Sequence, residues 1–188
     1  MNILASPLPV AVEIGGVRIP IRTDHRVGIQ VARTLESDIA PSLKGSVILG
    51  LYFPDMGFSD PDAALDAAIE FFQCGRPVRK RRKGKARALD WDHDASTILA
   101  DFRREYGIDL TDPATTLHWW AFMAYFEGLT PESGIQRAMY YRAASPPYDS
   151  GKEAVKHFKE LRRAYALPPK TDAEAIAAEA AMWGDTSV

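Results

Sequence analysis

The sequence predicts a mainly α-helical fold, with an N-terminal β-hairpin followed by a multi-helix globular bundle. Three observations carry that prediction. Between Val10 and Ile21 the chain reads VAVEIGGVRIPI, two short alternating β-branched runs around a Gly-Gly pair that tolerates the positive φ angles of a tight hairpin turn. Downstream, apolar residues recur at spacings of three and four, with Pro, Gly and short polar residues where helices start and stop. Finally, eight of the nineteen Phe, Trp and Tyr residues fall between Asp90 and Leu129. Each aromatic side chain buries roughly 150–250 Å², so this stretch marks the centre of the core.

Taken in order, the hairpin comes first. A lone two-stranded hairpin is marginal in water, so it must pack on the chain's own helices or on a strand of another chain, which makes a homo-oligomer an open reading. A helix is then expected from Thr23-Asp24 to Ser37, with Val27, Val31, Ala32 and Leu35 on one face; Gly28 weakens it by roughly 1 kcal/mol relative to Ala. A second helix begins near Pro41, carries Val47, Ile48 and Leu51, and stops at Phe53-Pro54. Ser59-Asp60-Pro61 starts a third, whose run Ala64, Leu65, Ala68, Ile69, Phe71 and Phe72 ends at Gly75.

A fourth helix follows the acids Asp90 and Asp92, either of which can cap it, and presents Ala95, Ile98, Leu99, Phe102 and Tyr106 before stopping at Gly107. The next, expected over about Ala114 to Glu127, is apolar on nearly every side and therefore buried. At about fourteen residues it falls short of the roughly twenty that a bilayer requires. Thr130-Pro131 is read as the start of a helix reaching Arg142, and Lys152 to Tyr165 as another with one buried and one basic face. Residues 1–168 thus form a single mostly helical domain. The remainder, 169–188, is an alanine-rich helical tail with Ile176, Ala180 and Trp183 aligned along a thin apolar face.

Charge divides this domain. Arg76 to Arg87 holds eight Lys/Arg and no acid, which leaves a body of −10 from an overall −2. Self-repelling charge with Pro and Gly predicts a flexible loop over 76–89. Eight clustered cations can neutralise nucleic-acid phosphates. The strip lacks interleaved aromatics and a supporting basic face, however, so a solvated loop or a clamp for an acidic partner is preferred and DNA binding is the weaker reading. A single cysteine, Cys74, excludes an intrachain disulfide and any Cys-based zinc cluster, and fits a reducing cytoplasm. Cys74 itself reads as a small buried side chain. No charged leader with an apolar run opens the chain, so neither secretion nor membrane insertion is expected.

The chemical candidates are few. Asp90, Asp92 and Asp94 alternate like the opening of a calcium loop, but Ala95 stands where the loop needs Gly and Asp101 where it needs Glu. Helix capping explains the same acids. The histidines, His25, His93, His118 and His157, show no metal spacing, and His118 is expected at the edge of the core with a local hydrogen bond. Neither a Gly-x-Ser-x-Gly elbow nor a phosphate-binding glycine loop occurs. No catalytic, cofactor-binding or metal-binding residue is therefore assigned, and the chain is expected not to be an enzyme.

Several elements recur in order from a known family: Asp24-His25-Arg26, Tyr52-Phe53-Pro54, Phe71-Phe72-Gln73-Cys74-Gly75, Asp90 to Asp94, Tyr106-Gly107-Ile108-Asp109-Leu110, Leu117-His118-Trp119-Trp120 with Phe122, Gly128-Leu129, Tyr141-Arg142 and Tyr165-Ala166-Leu167-Pro168. Over roughly residues 1–168 the chain resembles the bacteriophage gene-product-fifteen family. The resemblance implies a phage or prophage protein of the tail module in the bacterial host cytoplasm. It further implies a tail assembly chaperone whose partners are tail proteins, above all the tape-measure protein. A structural tail or head-completion component and a DNA-binding accessory protein are the alternatives. The residues given a stake in the partner surface are Arg79, Lys80, Arg81, Arg82, Lys83 and Lys85 of the basic strip, and Trp183 of the tail. The tape-measure protein is a long helical chain with apolar faces to cover, and a reversible cover favours an interface with a polar, charged rim.

Overall fold

A computed structural model describes residues 3–77, 87–146 and 151–170. The hairpin pairs β1 (Ala11–Ile14) with β2 (Val17–Pro20) in antiparallel register, Ile14 opposite Val17. Gly15 and Gly16 make the turn at φ +58° and +79°, the left-handed pair that a two-residue hairpin demands. Ile14 and Ile19 are buried, and β1 lies against a helix of the same chain, so of the two ways to cover the hairpin the intrachain one is realised.

Seven helices follow among the described residues: α1 (His25–Glu36), α2 (Pro41–Tyr52), α3 (Pro61–Phe72), α4 (Ala95–Tyr106), α5 (Trp119–Glu127), α6 (Gly134–Ala143) and α7 (Lys152–Ala164). The hairpin, α3, α2 and α1 pack in succession, α4, α6 and α7 form a second group, and α5 lies between them, against α1 on one side. Its Phe122 is fully buried and stacks on Phe102 of α4 (5.0 Å between centroids), on Trp119 (5.6 Å) and on His25 of α1 (5.5 Å). The aromatic-rich stretch is therefore the core centre, as its composition predicts.

Two helix starts differ from the sequence expectation. α5 begins at Trp119 rather than Ala114, because the preceding residues pair with the entrance to α1: His25 N–H donates to Leu117 O (2.8 Å) and Trp119 N–H to Thr23 O (2.6 Å). The helix N-cap is His118, whose Nδ1 accepts from Trp120 N–H (3.1 Å) while Nε2 donates to Pro9 O (2.9 Å). α6 begins at Gly134 rather than Pro131. Ser133 is its cap, and the Thr130 hydroxyl is turned to Glu105 (3.0 Å) instead. The start of α6 is also held from a distance, because the buried Asp101 carboxylate of α4 accepts from Gly134 N–H (3.2 Å) and Ile135 N–H (2.8 Å). A carboxylate at a helix N-terminus satisfies orphan donors and complements the helix dipole.

The residues that carry the family resemblance lie at the joints between these elements. Trp119 Nε1–H donates to Phe72 O (2.7 Å) and Trp120 Nε1–H to Phe71 O (2.8 Å), so adjacent indoles cap the C-terminal carbonyls of α3. Asp24 caps α1 by accepting from Arg26 N–H, and the Arg26 guanidinium donates to Thr115 O, Asp112 O and Leu110 O, pinning the loop before α5. Tyr106 O–H donates to Tyr125 O (2.9 Å), and Gly107, at φ +69°, ends α4 in the left-handed conformation. Arg142 of α6 makes a bidentate pair with Asp94, both side chains about 5 % exposed, and also donates to Ala88 O and Tyr165 O.

Burial sets a pH dependence. It pulls the His25 imidazole below its ordinary range, with Asp24 opposing, and it pulls His118 down likewise against the Pro9 carbonyl. Both folded values lie under the unfolded value near 6.5, so the neutral rings contribute stability that is fully present above that pH. It is lost as the pH falls below about 6.5, where the unfolded chain takes up protons that the folded one refuses. The urea midpoint should therefore drop between pH 7.5 and 5.5, and His118→Asn, which keeps a capping acceptor but cannot titrate, should shrink the drop. Asp90 acts lower. Burial opposes its ionisation, but hydrogen bonds from His93, Lys170 and Asp92 win and hold it at about 2, so its contribution fades only as the pH falls from about 3.8 toward that value.

Candidate functional site

The acids that resemble a calcium loop are committed elsewhere. Asp94 is occupied by Arg142 and by Asp90 N–H (2.9 Å), Asp92 pairs with Arg33 of α1 (2.8 Å), and Asp90 accepts from Asp92 N–H, His93 N–H and Arg87. Neither Asp90 nor Asp92 caps α4 as expected: the N-cap position is Asp94, whose side chain makes no capping bond, Asp90 holds the turn before it, and the Asp92 carboxylate reaches across to α1. No cluster of three or more His, Cys, Asp or Glu among the described residues could hold a metal ion. Cys74 differs from its expected burial. It is half-buried at φ +58°, with Gly75 left-handed beside it, and burial pushes its thiol up to about 11, which leaves it protonated and a poor nucleophile at neutral pH.

What the surface does offer is an apolar groove along the C-terminal half of α1. Its larger part, about 600 Å³, lies between α1, the α1–α2 turn and α2, with Ile39, Val47, Leu51 and Trp91 supplying the apolar lining. A second part, about 280 Å³, runs on toward the ends of α3 and α5 past Leu35, Phe72 and Met123. Trp91 and Glu36 line both. The two hollows therefore share Trp91 and Glu36 as a common wall.

The local reason is a second apolar stripe on α2. Ile48, Leu49 and Tyr52 face the core, while Leu43, Val47 and Leu51, at i, i+4 and i+8, form a separate row. Val47 is 41 % exposed and Leu43 57 %; across the turn Ile39 is 41 % and Leu35 37 % exposed. Of these, Ile39 and Val47 line the larger hollow and Leu35 the smaller, so three large apolar side chains stand open on this face. The rim is charged: Arg33 with Asp92, Lys170 with Glu36 (3.4 Å) and Asp90 (3.0 Å), and Arg76 with Glu127 (2.6 Å).

The partner residues expected from the sequence, Arg79, Lys80, Arg81, Arg82, Lys83, Lys85 and Trp183, lie outside the described residues. The described ends of the basic strip are both engaged within the chain, Arg76 with Glu127 and Arg87 with Asp90 and Pro168 O. The groove residues Leu35, Ile39, Val47 and Trp91 are the ones sequence reasoning missed as a site. The signal that could have found them is the second i, i+4, i+8 row on α2.

An N-terminal hairpin followed by interlocked helices, with an ion-paired hollow beside α1, defines a mainly α-helical protein. Over residues 4–167 the sequence matches the family described as Bacteriophage Gp15 protein, and the chain belongs to that family. No curated protein and no solved structure matches it. Among the described residues, no helix is long and apolar enough to cross a membrane.

Proposed function

We propose that this phage protein is a non-enzymatic tail assembly chaperone, and that it covers an apolar helical segment of the tape-measure protein with the groove between α1 and α2. The observation that carries the reading is the exposed Leu35, Ile39 and Val47, each lining a hollow that Trp91 also lines, framed by ion pairs. A helix laid in such a trough buries its apolar anchors against the floor, and the charged rim sets orientation while keeping the contact reversible.

The test is coexpression of the tagged protein with the tape-measure product of its own phage genome, followed by pull-down at moderate salt. A stoichiometric complex is expected, together with absence of the protein from purified particles. Val47→Glu and Leu35→Glu should weaken the complex at least tenfold, with Leu35→Glu leaving stability within about 0.5 kcal/mol, as is usual for exposed positions. Recovery of the protein in mature virions at fixed copy number, with no complex formed, would establish a structural tail or head-completion component instead.

A further inference from the structure

The described chain ends on the groove. Lys170 lines it, with its ammonium 3.4 Å from Glu36 and 3.0 Å from Asp90, and Arg87 holds the preceding turn through Pro168 O (2.7 Å). Eighteen residues follow, TDAEAIAAEAAMWGDTSV, and they contain Ile176, Met182 and Trp183. A segment launched from the wall of an open apolar trough, and carrying its own large apolar side chains, has its nearest cover within reach.

We propose that in the free protein the groove is filled by this chain's own C-terminal segment, residues 171–183, with Ile176 and Trp183 as anchors against Ile39, Val47 and Trp91. Thirteen residues from Thr171 to Trp183 span about 20 Å as a helix and at most about 45 Å extended, and they start from Lys170, which itself lines the groove. Alanine at 173, 177, 180 and 181 keeps the segment slim enough for a shallow trough. Tethering supplies the rest. A short linker gives an effective concentration of the order of millimolar, so an intrinsic dissociation constant near 100 μM keeps the groove closed about ten to one. A partner helix must then displace the segment, which makes the groove self-shielding before assembly.

Charge does not recruit this occupant. The segment carries Asp172, Glu174 and Glu179 and no Lys or Arg, while on the larger part of the groove Glu36, Asp38 and Asp92 outnumber Arg33 and Lys170. Attachment is therefore apolar, and it should persist at high salt, unlike a contact made by the acidic segment with the basic strip, which salt would screen.

The test uses the full chain with Trp183→p-benzoylphenylalanine as an internal photo-crosslinker. Crosslinks are expected within one chain, mapping to peptides that contain Leu35 to Leu51 or Trp91, with similar yield at 0.1 M and 1 M NaCl. Ile176→Asp in the same chain should cut that yield at least fivefold and, in the chain that keeps Trp183, raise binding of a hydrophobic dye severalfold. Crosslinks between two chains, crosslinks confined to the basic strip, a yield that collapses in salt, or dye binding unchanged by Ile176→Asp would each overturn the proposal. It rests on the groove and not on the tape-measure partner: failure to bind a tape-measure protein would leave the crosslinks in place.

Discussion

Arg142→Met is expected to lower the unfolding free energy by about 3–5 kcal/mol, the cost of leaving a buried carboxylate without its partner. That is a large fraction of the roughly 5–15 kcal/mol that holds a domain of this size together. The guanidinium is boxed in: Nη1 and Nη2 donate to the two Asp94 oxygens at 2.7 and 2.9 Å, Nη1 also reaches Ala88 O at 3.0 Å, and Nε donates to Tyr165 O at 2.6 Å. One side chain thus joins α6 to the entrance of α4 and to the end of α7. Removing it strands Asp94 and two carbonyls. The double variant Asp94→Leu with Arg142→Met should recover part of the loss, because a buried ion pair can often be replaced by apolar groups at little cost. Recovery will be incomplete, since Asp90 N–H loses its acceptor as well. Urea denaturation of the two single variants and the double measures the coupling; a loss under about 1 kcal/mol for Arg142→Met would mean that the pair is solvated and does not join these helices.

Arg142 also shows where sequence reasoning stops. The helix holding it is legible from spacing, but its partner is 48 residues away, and nothing local announces the pairing. The same holds for Asp101, which reads as one more acid on α4 and proves to cap α6. The hairpin, α1, α2, α3, α4 and α7 follow from local signals, because their caps and stops are built from adjacent residues: Asp24 before α1, Asp60 before α3 and Gly107 after α4. α5 is misplaced at its start because Leu117 and Trp119, on either side of His118, are drawn into backbone pairing with His25 and Thr23 instead. Thr130-Pro131 offers good helix-start chemistry, yet Glu105 takes the hydroxyl, and Ser133 starts α6. The groove needed the packing of α1 against α2 to form, although the row Leu43, Val47, Leu51, of which the last two line one wall, is visible in the sequence.

Gly28→Ala reverses the sign that helix propensity assigns to it. In an exposed helix the substitution would gain about 1 kcal/mol. Here a Cβ on Gly28 would stand 2.8 Å from Cζ3 of Trp119 and closer still to Cε3 and Cδ2, inside the ring's van der Waals surface. The indole has nowhere to go. Its Nε1–H is bonded to Phe72 O at 2.7 Å, and its faces stack on Phe72 (5.3 Å) and Phe122 (5.6 Å). Overpacking a tight core costs about 1–3 kcal/mol and occasionally more, and a ring held on three sides belongs at the upper end, so a net loss of about 2–3 kcal/mol is expected. Gly50→Ala supplies the control, since it also lies within a helix, but its added Cβ meets nothing within 4 Å. That variant should gain about 0.4–1 kcal/mol by restricting the unfolded chain. Thermal melts of the two variants should therefore move in opposite directions from the parent. If Gly28→Ala melted higher along with Gly50→Ala, Trp119 would not be pressed against α1, and the packing of α5 between the two helical groups would have to be redrawn.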